Sequence, residues 1–171
     1  MLNKLLAHFT AKSNDKSQAE TAVYAPVSGK TVELTEVPDP AFSGRMLGDG
    51  LAVEPESEQV VAPFDGTVVS IFPTGHALGL RAVSGLECLI HVGVDTVSLE
   101  GKGFRLLAAE GQTVSRGTPL IELDLPLLRA SGKTLVTPVV ITNGDTWQIG
   151  KRISGQPVTA GTDLLFTASC N

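Results

Sequence analysis

Three histidines are present in the 171-residue chain, and two of them, His76 and His91, lie fifteen positions apart among short apolar runs. An imidazole titrates close to neutral pH and serves as a nucleophile, a proton donor or a metal ligand. The apolar runs over residues 78–83 and 87–92 predict two adjacent β-strands. Hairpin-like pairing of these strands would place His76 beside His91 across the sheet, which makes the two imidazoles the first candidates for chemistry.

Strand alternation predicts the surroundings of this pair. If Ile90 points into the core, His91 points outward, because successive side chains of a strand alternate between the two faces. By the same alternation we expect exposed apolar side chains around the imidazoles, namely Phe72, Leu78 and Leu89. An exposed apolar patch usually marks an interaction surface.

The residues near the pair favour a functional site over two structural histidines. Thr74 supplies a hydroxyl and Asp95 a carboxylate close to the imidazoles. The spacing His91-x-x-x-Asp95 also resembles that of metal ligands, with His76 as a third ligand. That reading would make the protein a zinc-dependent hydrolase.

Composition narrows the class of protein. Hydrophobic residues make up 42% of the chain and charged residues 18%, as in a globular domain. The net charge of −5 argues against nucleic acid as a partner, because phosphate binding needs clustered Lys and Arg. Cys88 and Cys170 have the spacing of neither a metal site nor a redox pair. No transmembrane or signal-peptide pattern is present, so we expect a cytoplasmic protein.

Many short strands are predicted after residue 23, because the chain contains 18 Gly and 10 Pro that interrupt its apolar runs. The predicted strands include residues 31–34, 67–72, 78–83, 87–92, 120–123, 135–141 and 164–167. Asn143-Gly144 is a tight-turn signal between two later strands. Two short helical turns are predicted, each running from an aspartate N-cap to a glycine: residues 39–44 or 39–48, and residues 124–132.

Two sequence patterns occur twice. Ala25-Pro26-x-x-Gly29-x-x-Val32 recurs at residues 62–69, and Gly111-Gln112-x-Val114-x-x-Gly117-Thr118-x-Leu120 recurs at residues 155–164. Each copy reads as strand, glycine turn and strand. The fold expected is therefore all-β, an antiparallel sandwich or barrel-like structure built from duplicated β modules, which protects its strand edges.

The first residues form a separate unit. Residues 1–12 place Leu2, Leu5, Leu6 and Phe9 on one face of a helix, with lysines on the other side. The polar stretch that follows reads as a linker. We therefore divide the chain into a flexible N-terminal segment over residues 1–20 and a domain over residues 21–171. The segment is either a frayed terminus or an amphipathic helix in weak peripheral contact with the inner face of an anionic membrane.

The region around His91 resembles the phosphorylation-site segment of the glucose-type enzyme IIA of the bacterial phosphoenolpyruvate-dependent sugar phosphotransferase system. The resemblance rests on Gly85-Leu86-Glu87-Cys88-Leu89-Ile90-His91-Val92-Gly93-Val94-Asp95-Thr96-Val97. Further stretches agree in order, among them residues 25–29, 37–39, 48–50, 62–67, 74–77 and 124–128. The resemblance covers about residues 23–167. Cys88 departs from the family pattern, and we expect this difference to change only the packing of the core.

The resemblance implies that this is a phosphotransferase component. His91 would carry the phosphoryl group, His76 would be its partner, and Thr74 would support His76 by a hydrogen bond. The donor would be phosphocarrier HPr and the acceptor a cysteine on the IIB domain of a sugar permease. Residues expected to bind these partners are Asp39, Phe42, Met46, Phe72, Leu78, Leu89, Asp95 and Val97.

A regulatory role accompanies the carrier role in this family, so regulated permeases or metabolic enzymes are further expected partners. No cofactor is required, although His76 and His91 could hold an intermolecular Zn²⁺ together with a partner's carboxylate. The hydrolase reading is weakened because metallopeptidases with a similar duplicated β-fold show a His-x-His pair, which this sequence lacks. The sequence does not identify the sugar, since the permease selects it.

Overall fold

The computed structural model describes residues 20–171, and these form fourteen short strands, two short α-helices and two 3-10 turns. The strands are β1 Glu20–Tyr24, β2 Gly29–Val32, β3 Gly50–Pro55, β4 Gln59–Val61, β5 Gly66–Ile71, β6 Ala77–Ala82, β7 Glu87–His91, β8 Phe104–Leu106, β9 Thr113–Val114, β10 Pro119–Leu123, β11 Thr137–Ile141, β12 Trp147–Arg152, β13 Pro157–Val158 and β14 Leu164–Cys170. The helices are α1 Pro40–Ser43 and α2 Leu125–Ala130, and the 3-10 turns span Leu34–Glu36 and Thr96–Leu99.

The strands form an antiparallel sandwich, which confirms the predicted fold class. An eight-stranded sheet has the order β13-β2-β3-β11-β7-β6-β5-β9, and two three-stranded sheets have the orders β1-β14-β12 and β4-β10-β8. The main core lies between the layers and draws side chains from every sheet, including Val23, Ile90, Leu120 and Phe166. Cys88 is buried in this core, and burial raises the pKa of its thiol to about 12, so it serves as a packing residue.

The duplicated patterns occupy equivalent places in the two halves of the large sheet. Gly29 of β2 pairs with Val158 of β13, and Gly66 of β5 pairs with Val114 of β9. Hydrogen bonds repeat as well, because the amide of Gly161 donates to Ala25 and that of Gly117 to Ala62, both at 2.8 Å. The duplication predicted from the sequence is therefore confirmed, and β11 and β7 meet where the halves join.

The two halves differ in one connection. Between β2 and β3 the chain runs through residues 33–49, which contain the first 3-10 turn and α1. These residues cover the outer face of the sheet with a second, smaller core that includes Leu34, Phe42, Ala52 and Val140. The matching connection between β5 and β6 consists only of residues 72–76, which are too few to form a second cover of this kind.

Both helical turns were predicted correctly. Asp39 caps α1 by accepting from the Ala41 amide, Pro40 is its first residue, and Gly44 follows its end. Asp124 caps α2, which ends before Ser131, close to the predicted Gly132. The Asn143-Gly144 turn joins β11 to β12, which lie in different sheets.

The N-terminal prediction falls largely outside the described residues. The amphipathic helix over residues 1–12 and the linker up to residue 19 are not covered by the described range. Glu20, assigned to the terminal segment from the sequence, is instead the first residue of β1 and pairs with Ser169. Within residues 20–171, no helix is long and apolar enough to cross a bilayer.

Candidate functional site

The hairpin of β6 and β7 positions the two histidines. Its register pairs Ala77 with His91 and Leu78 with Ile90. The prediction for Leu78 is wrong: this side chain is fully buried on the core face and cannot bind a partner. His76 precedes the first residue of β6, so the strand alternation that was used to place Leu78 beside it does not extend across that boundary.

His76 is held by the turn before β6. Its Nδ1 lies 2.5 Å from the hydroxyl oxygen of Thr74, the contact that the resemblance implied. Its backbone carbonyl accepts a hydrogen bond from the amide of Val92 at 2.8 Å. The side chain is only 3% exposed, so the ring is fixed by both its backbone and its surroundings.

His91 is the last residue of β7, and the chain turns immediately after it. Its Nδ1 lies 2.8 Å from the carbonyl oxygen of Gly93, which fixes a hydrogen on Nδ1 because a carbonyl can only accept. Gly93 has a φ of 79°, a conformation that favours glycine. The second ring nitrogen, Nε2, therefore carries the free electron pair of the neutral ring.

The two imidazoles are neighbours, as the hairpin model predicted. Their ring centroids are 4.9 Å apart and their planes stand at 80°. Each uses Nδ1 for its intramolecular hydrogen bond. Within residues 20–171, neither Nε2 has a hydrogen-bond partner or is closed off from the surface. Two adjacent ring nitrogens are thus available to an incoming group.

Both imidazoles favour the neutral form. Burial lowers the pKa of His76, and the charge of a protonated His91 would lower it further. Burial also lowers the pKa of His91, although its hydrogen bond to Gly93 and the negative charge of Asp39 oppose this effect. At neutral pH, His91 is therefore an unprotonated nucleophile whose surroundings tolerate some positive charge on the ring.

Aromatic rings enclose the pair. Phe72 lies with its ring centroid 5.5 Å from that of His76, and Phe104 lies 6.4 Å from it. The ring of Phe42 lies 5.2 Å from His91 but is itself only 2% exposed. Phe42 therefore supports His91 from within the fold, and the prediction that it binds partners directly is wrong.

Exposed apolar side chains lie on the connections next to the two histidines and on the segment over residues 33–49. Among the predicted partner-binding residues, Phe72 is 42% exposed, Met46 76% and Val97 52%. Leu89 is half-buried because it packs against the smaller core under α1. The sequence analysis missed Leu47 and Leu106, which are also exposed, because their positions depend on the path of the segment over residues 33–49 and on the packing of β8.

The two predicted carboxylates behave differently. Asp39 caps α1 and its charge acts on His91. Asp95 is exposed, and its carboxylate accepts from Nζ of Lys133 at 2.6 Å, which lowers the pKa of Asp95. No three His, Cys, Asp or Glu side chains within the described range are gathered closely enough to hold a metal ion. The zinc trio of His76, His91 and Asp95 is therefore not assembled.

Comparison with known proteins decides the family. Residues 21–147 match the family model described as phosphoenolpyruvate-dependent sugar phosphotransferase system, EIIA 1. The chain belongs to this family. It is therefore a phosphotransferase component, a phosphocarrier of the sugar phosphotransferase system, and the resemblance found in the sequence is confirmed.

Named IIA proteins agree over most of the chain. It is 47% identical over 146 residues to a glucose-specific EIIA component of Bacillus cereus, covering 85% of this chain and 88% of that protein. It is 47% identical over 138 residues to a glucose-specific EIICBA component of Staphylococcus carnosus, covering 77% of this chain but 20% of that larger protein. The glucose permease IIA of Mycoplasma capricolum has the same fold, with a TM-score of 0.81 at 37% identity over 87% of this chain and 96% of that one.

Besides Leu47 and Leu106, two further parts of this IIA site were not found from the sequence. The Gly93 carbonyl orients His91, and Phe104 closes one side of His76. Gly93 lies two residues after His91, just beyond the end of the predicted strand, and a glycine at such a place could have suggested a turn. Phe104 comes from β8, far along the chain, and its packing depends on how the sheets meet.

Proposed function

We propose that Nε2 of His91 accepts a phosphoryl group from phosphocarrier HPr and passes it to a cysteine on the IIB domain of a sugar permease. The observation that carries this proposal is the hydrogen bond from Nδ1 of His91 to Gly93, which leaves Nε2 as an accessible nucleophile beside His76. His91 also lies within the segment on which the family resemblance rests.

The transfer exchanges one P–N bond for another. The electron pair of Nε2 attacks phosphorus, the P–N bond of phospho-HPr breaks, and its electrons return to the donor imidazole. Positive charge develops on the His91 ring because Nδ1 keeps its hydrogen. The Gly93 carbonyl and the charge of Asp39 favour that charge, as their effects on the His91 pKa indicate. For onward transfer, the same charge makes the ring a better leaving group.

His76 stabilises the phosphoryl group in this proposal. If the Thr74 hydroxyl donates to Nδ1 of His76, the hydrogen of the neutral ring lies on Nε2. That N–H can donate to a phosphoryl oxygen, and its position is set before the reaction. Thr74 thus sets the tautomer and orientation of His76, and His76 does not carry the phosphoryl group.

The exposed apolar side chains around the pair would bind both protein partners. HPr and IIB must each bring a reacting atom to Nε2 of His91, so they would dock on overlapping surfaces. Phe72 and Met46 would supply apolar contact. Asp39 and Asp95 would attract basic groups and speed association.

Glucose is the proposed sugar, because two of the relatives described above are named glucose-specific. A glucoside-specific EIICBA component of Staphylococcus carnosus is 44% identical over 150 residues, so the permease rather than this domain would make the choice. The bacterial cytoplasm remains the proposed compartment. Peripheral membrane contact through residues 1–12 remains a prediction, because those residues lie outside the described range.

Regulatory binding is a second proposed role, favoured by the two neighbouring Nε2 atoms, which have no hydrogen-bond partner within residues 20–171. Two imidazoles supply half of a tetrahedral zinc site once the hydrogen on Nε2 of His76 has moved to Nδ1, where the Thr74 hydroxyl would accept it. Zn²⁺ would then be held only when a partner adds ligands such as a carboxylate. A phosphoryl group on His91 would block this coordination. Binding to regulated permeases or metabolic enzymes would then depend on the phosphorylation state.

The test is phosphorylation with enzyme I, HPr and phosphoenolpyruvate, followed by mass spectrometry at neutral pH. We expect one acid-labile phosphoryl group on His91 and none on His91→Ala. The variant should stay folded by circular dichroism, because the position is at a strand end and only half-buried. Normal labelling of His91→Ala, with the group mapped to His76, would falsify the assignment.

A further inference from the structure

The segment over residues 33–49, which covers the outer face of the sheet, is fastened at both ends by one arginine. Arg152 is the last residue of β12 and therefore belongs to the opposite layer of the sandwich. Its guanidinium donates to the carboxylate of Asp49 and, at 2.9 Å, to the carbonyl of Gly50. It also lies 3.9 Å from the carboxylate of Glu33.

These contacts are partly shielded from water. The Arg152 side chain is 25% exposed, Asp49 39% and Glu33 37%. Burial alone would raise the pKa of Asp49. The hydrogen bond from Arg152 and the positive charge of its guanidinium outweigh this effect and lower the pKa below its usual value. Arg45 adds a second contact to Asp49 at 3.0 Å. A planar guanidinium that binds one carboxylate and a carbonyl in this way fixes the position of the chain more firmly than a lysine would.

The fastened segment bears directly on the candidate site. Between Glu33 and Asp49 it carries Asp39, whose charge acts on His91, and Phe42, whose ring lies 5.2 Å from the His91 ring. It also carries Met46, the most exposed of the apolar residues predicted to bind partners. The placement of all three depends on where the ends of the segment are held.

We propose that Arg152 is a positioning residue for phosphoryl transfer, acting through Asp49 and Glu33 to hold residues 33–49 in the conformation that docks a protein partner. This inference rests on the proposed function of His91. Loss of Arg152 would let the segment move, which would displace the docking side chains while leaving the hydrogen bonds of His91 to Gly93 and of His76 to Thr74 intact.

The test compares Arg152→Gln, Arg152→Lys and a matched control, Arg81→Gln. Arg81 also binds a carboxylate, Glu87 at 2.9 Å, and its loss changes the charge equally at the far end of the β6–β7 hairpin. For Arg152→Gln we expect the KM for phospho-HPr to rise about threefold to tenfold with little change in kcat, because docking rather than chemistry is affected. Arg152→Lys should recover part of this loss, and Arg81→Gln should leave KM unchanged.

A double-mutant cycle with Asp49→Asn tests the route. If Arg152 acts through Asp49, the KM of the double variant for phospho-HPr should be no higher than that of Arg152→Gln. The NMR signals of the His91 ring should shift in both single variants. Additive effects, or an unchanged KM in a folded Arg152→Gln protein, would overturn the proposal. Phosphorylation of His91 in the wild-type protein is measured in the same assay. If the proposed function is wrong, the wild type itself will not be labelled, which distinguishes that outcome from a failure of the Arg152 proposal.

Discussion

The amide of Val92 donates to the backbone carbonyl of His76, at 2.8 Å, although His76 lies one residue before β6 begins. This bond extends the β6–β7 ladder past the end of the strand. It ties the turn that carries His76 to the residue after His91. The relative position of the two imidazoles is therefore set by the backbone, and side-chain substitutions at either position should leave the geometry of the other largely unchanged.

Replacing His76 by glutamine should separate acceptance from delivery. The amide can still donate a hydrogen bond, so His91 should accept phosphate from HPr at a similar rate. Onward transfer to IIB should slow by about tenfold or more, because an amide stabilises the developing charge less well. Single-turnover measurements of both steps provide the check, and an equal loss in both would contradict the proposed asymmetry.

Thr74→Val should show a weaker version of this effect. Valine matches the shape of threonine but cannot bond to Nδ1 of His76. The His76 tautomer would then be unrestrained, and onward transfer should slow by about threefold, with Thr74→Ser restoring it. The ratio of tautomers is measured from imidazole nitrogen chemical shifts. A serine variant as slow as the valine variant would show that the hydroxyl is not the operative group.

Acidification should lower stability between about pH 6.5 and the folded pKa values of the two histidines, and activity should fall as the pH passes through the folded pKa of His91. Burial lowers both pKa values on folding, so the unfolded chain binds more protons in this window. Their contribution to stability is complete above about pH 6.5 and falls as the pH decreases. Urea unfolding of the wild type from pH 7.5 to pH 5 should show this loss. A double variant with glutamine at both positions should show less of it.

An acidic side chain in the apolar surround should weaken docking. Met46→Asp or Phe72→Asp should raise the KM for phospho-HPr and for IIB together, because both partners must reach His91. Val83→Asp is the matched control, since Val83 is 85% exposed but lies at the far end of the hairpin beyond β6. Leu89→Asp is a poor probe because Leu89 packs against the smaller core. An effect on one partner only would argue against a shared surface.

Gly93→Ala should damage the fold and the site together. A Cβ at this position would lie 2.5 Å from Cγ2 of Thr96 and 2.8 Å from the carbonyl oxygen of Thr134. We expect a loss of about 2 to 4 kcal/mol in the free energy of unfolding and slower acceptance by the folded fraction. Gly85→Ala is the control, because Gly85 also has a positive φ but nothing lies within 4 Å of its Cβ position. Equal losses in the two variants would contradict a specific role for Gly93.

Sequence periodicity predicted the strands and the meeting of His76 with His91, because both depend on local alternation and one hairpin. It failed for Leu78, since the strand starts at Ala77 and alternation does not pass through the preceding turn. The partner-binding role expected for Phe42 from the family resemblance was wrong as well, because this side chain is buried. The Asp39-Pro40 signal predicted the helix correctly, but only long-range packing shows that this helix lies against His91.

The short connection over residues 72–76 has a consequence for how this protein can change. In the other half of the sheet, the longer connection seals the outer face and leaves Val140 fully buried. A comparable insertion between Phe72 and His76 would cover the two imidazoles and block access to them, although His76 and His91 themselves would be unchanged. Surface loops generally tolerate added length. A longer connection here should nevertheless impair function, because the short one keeps the nucleophile accessible to another protein.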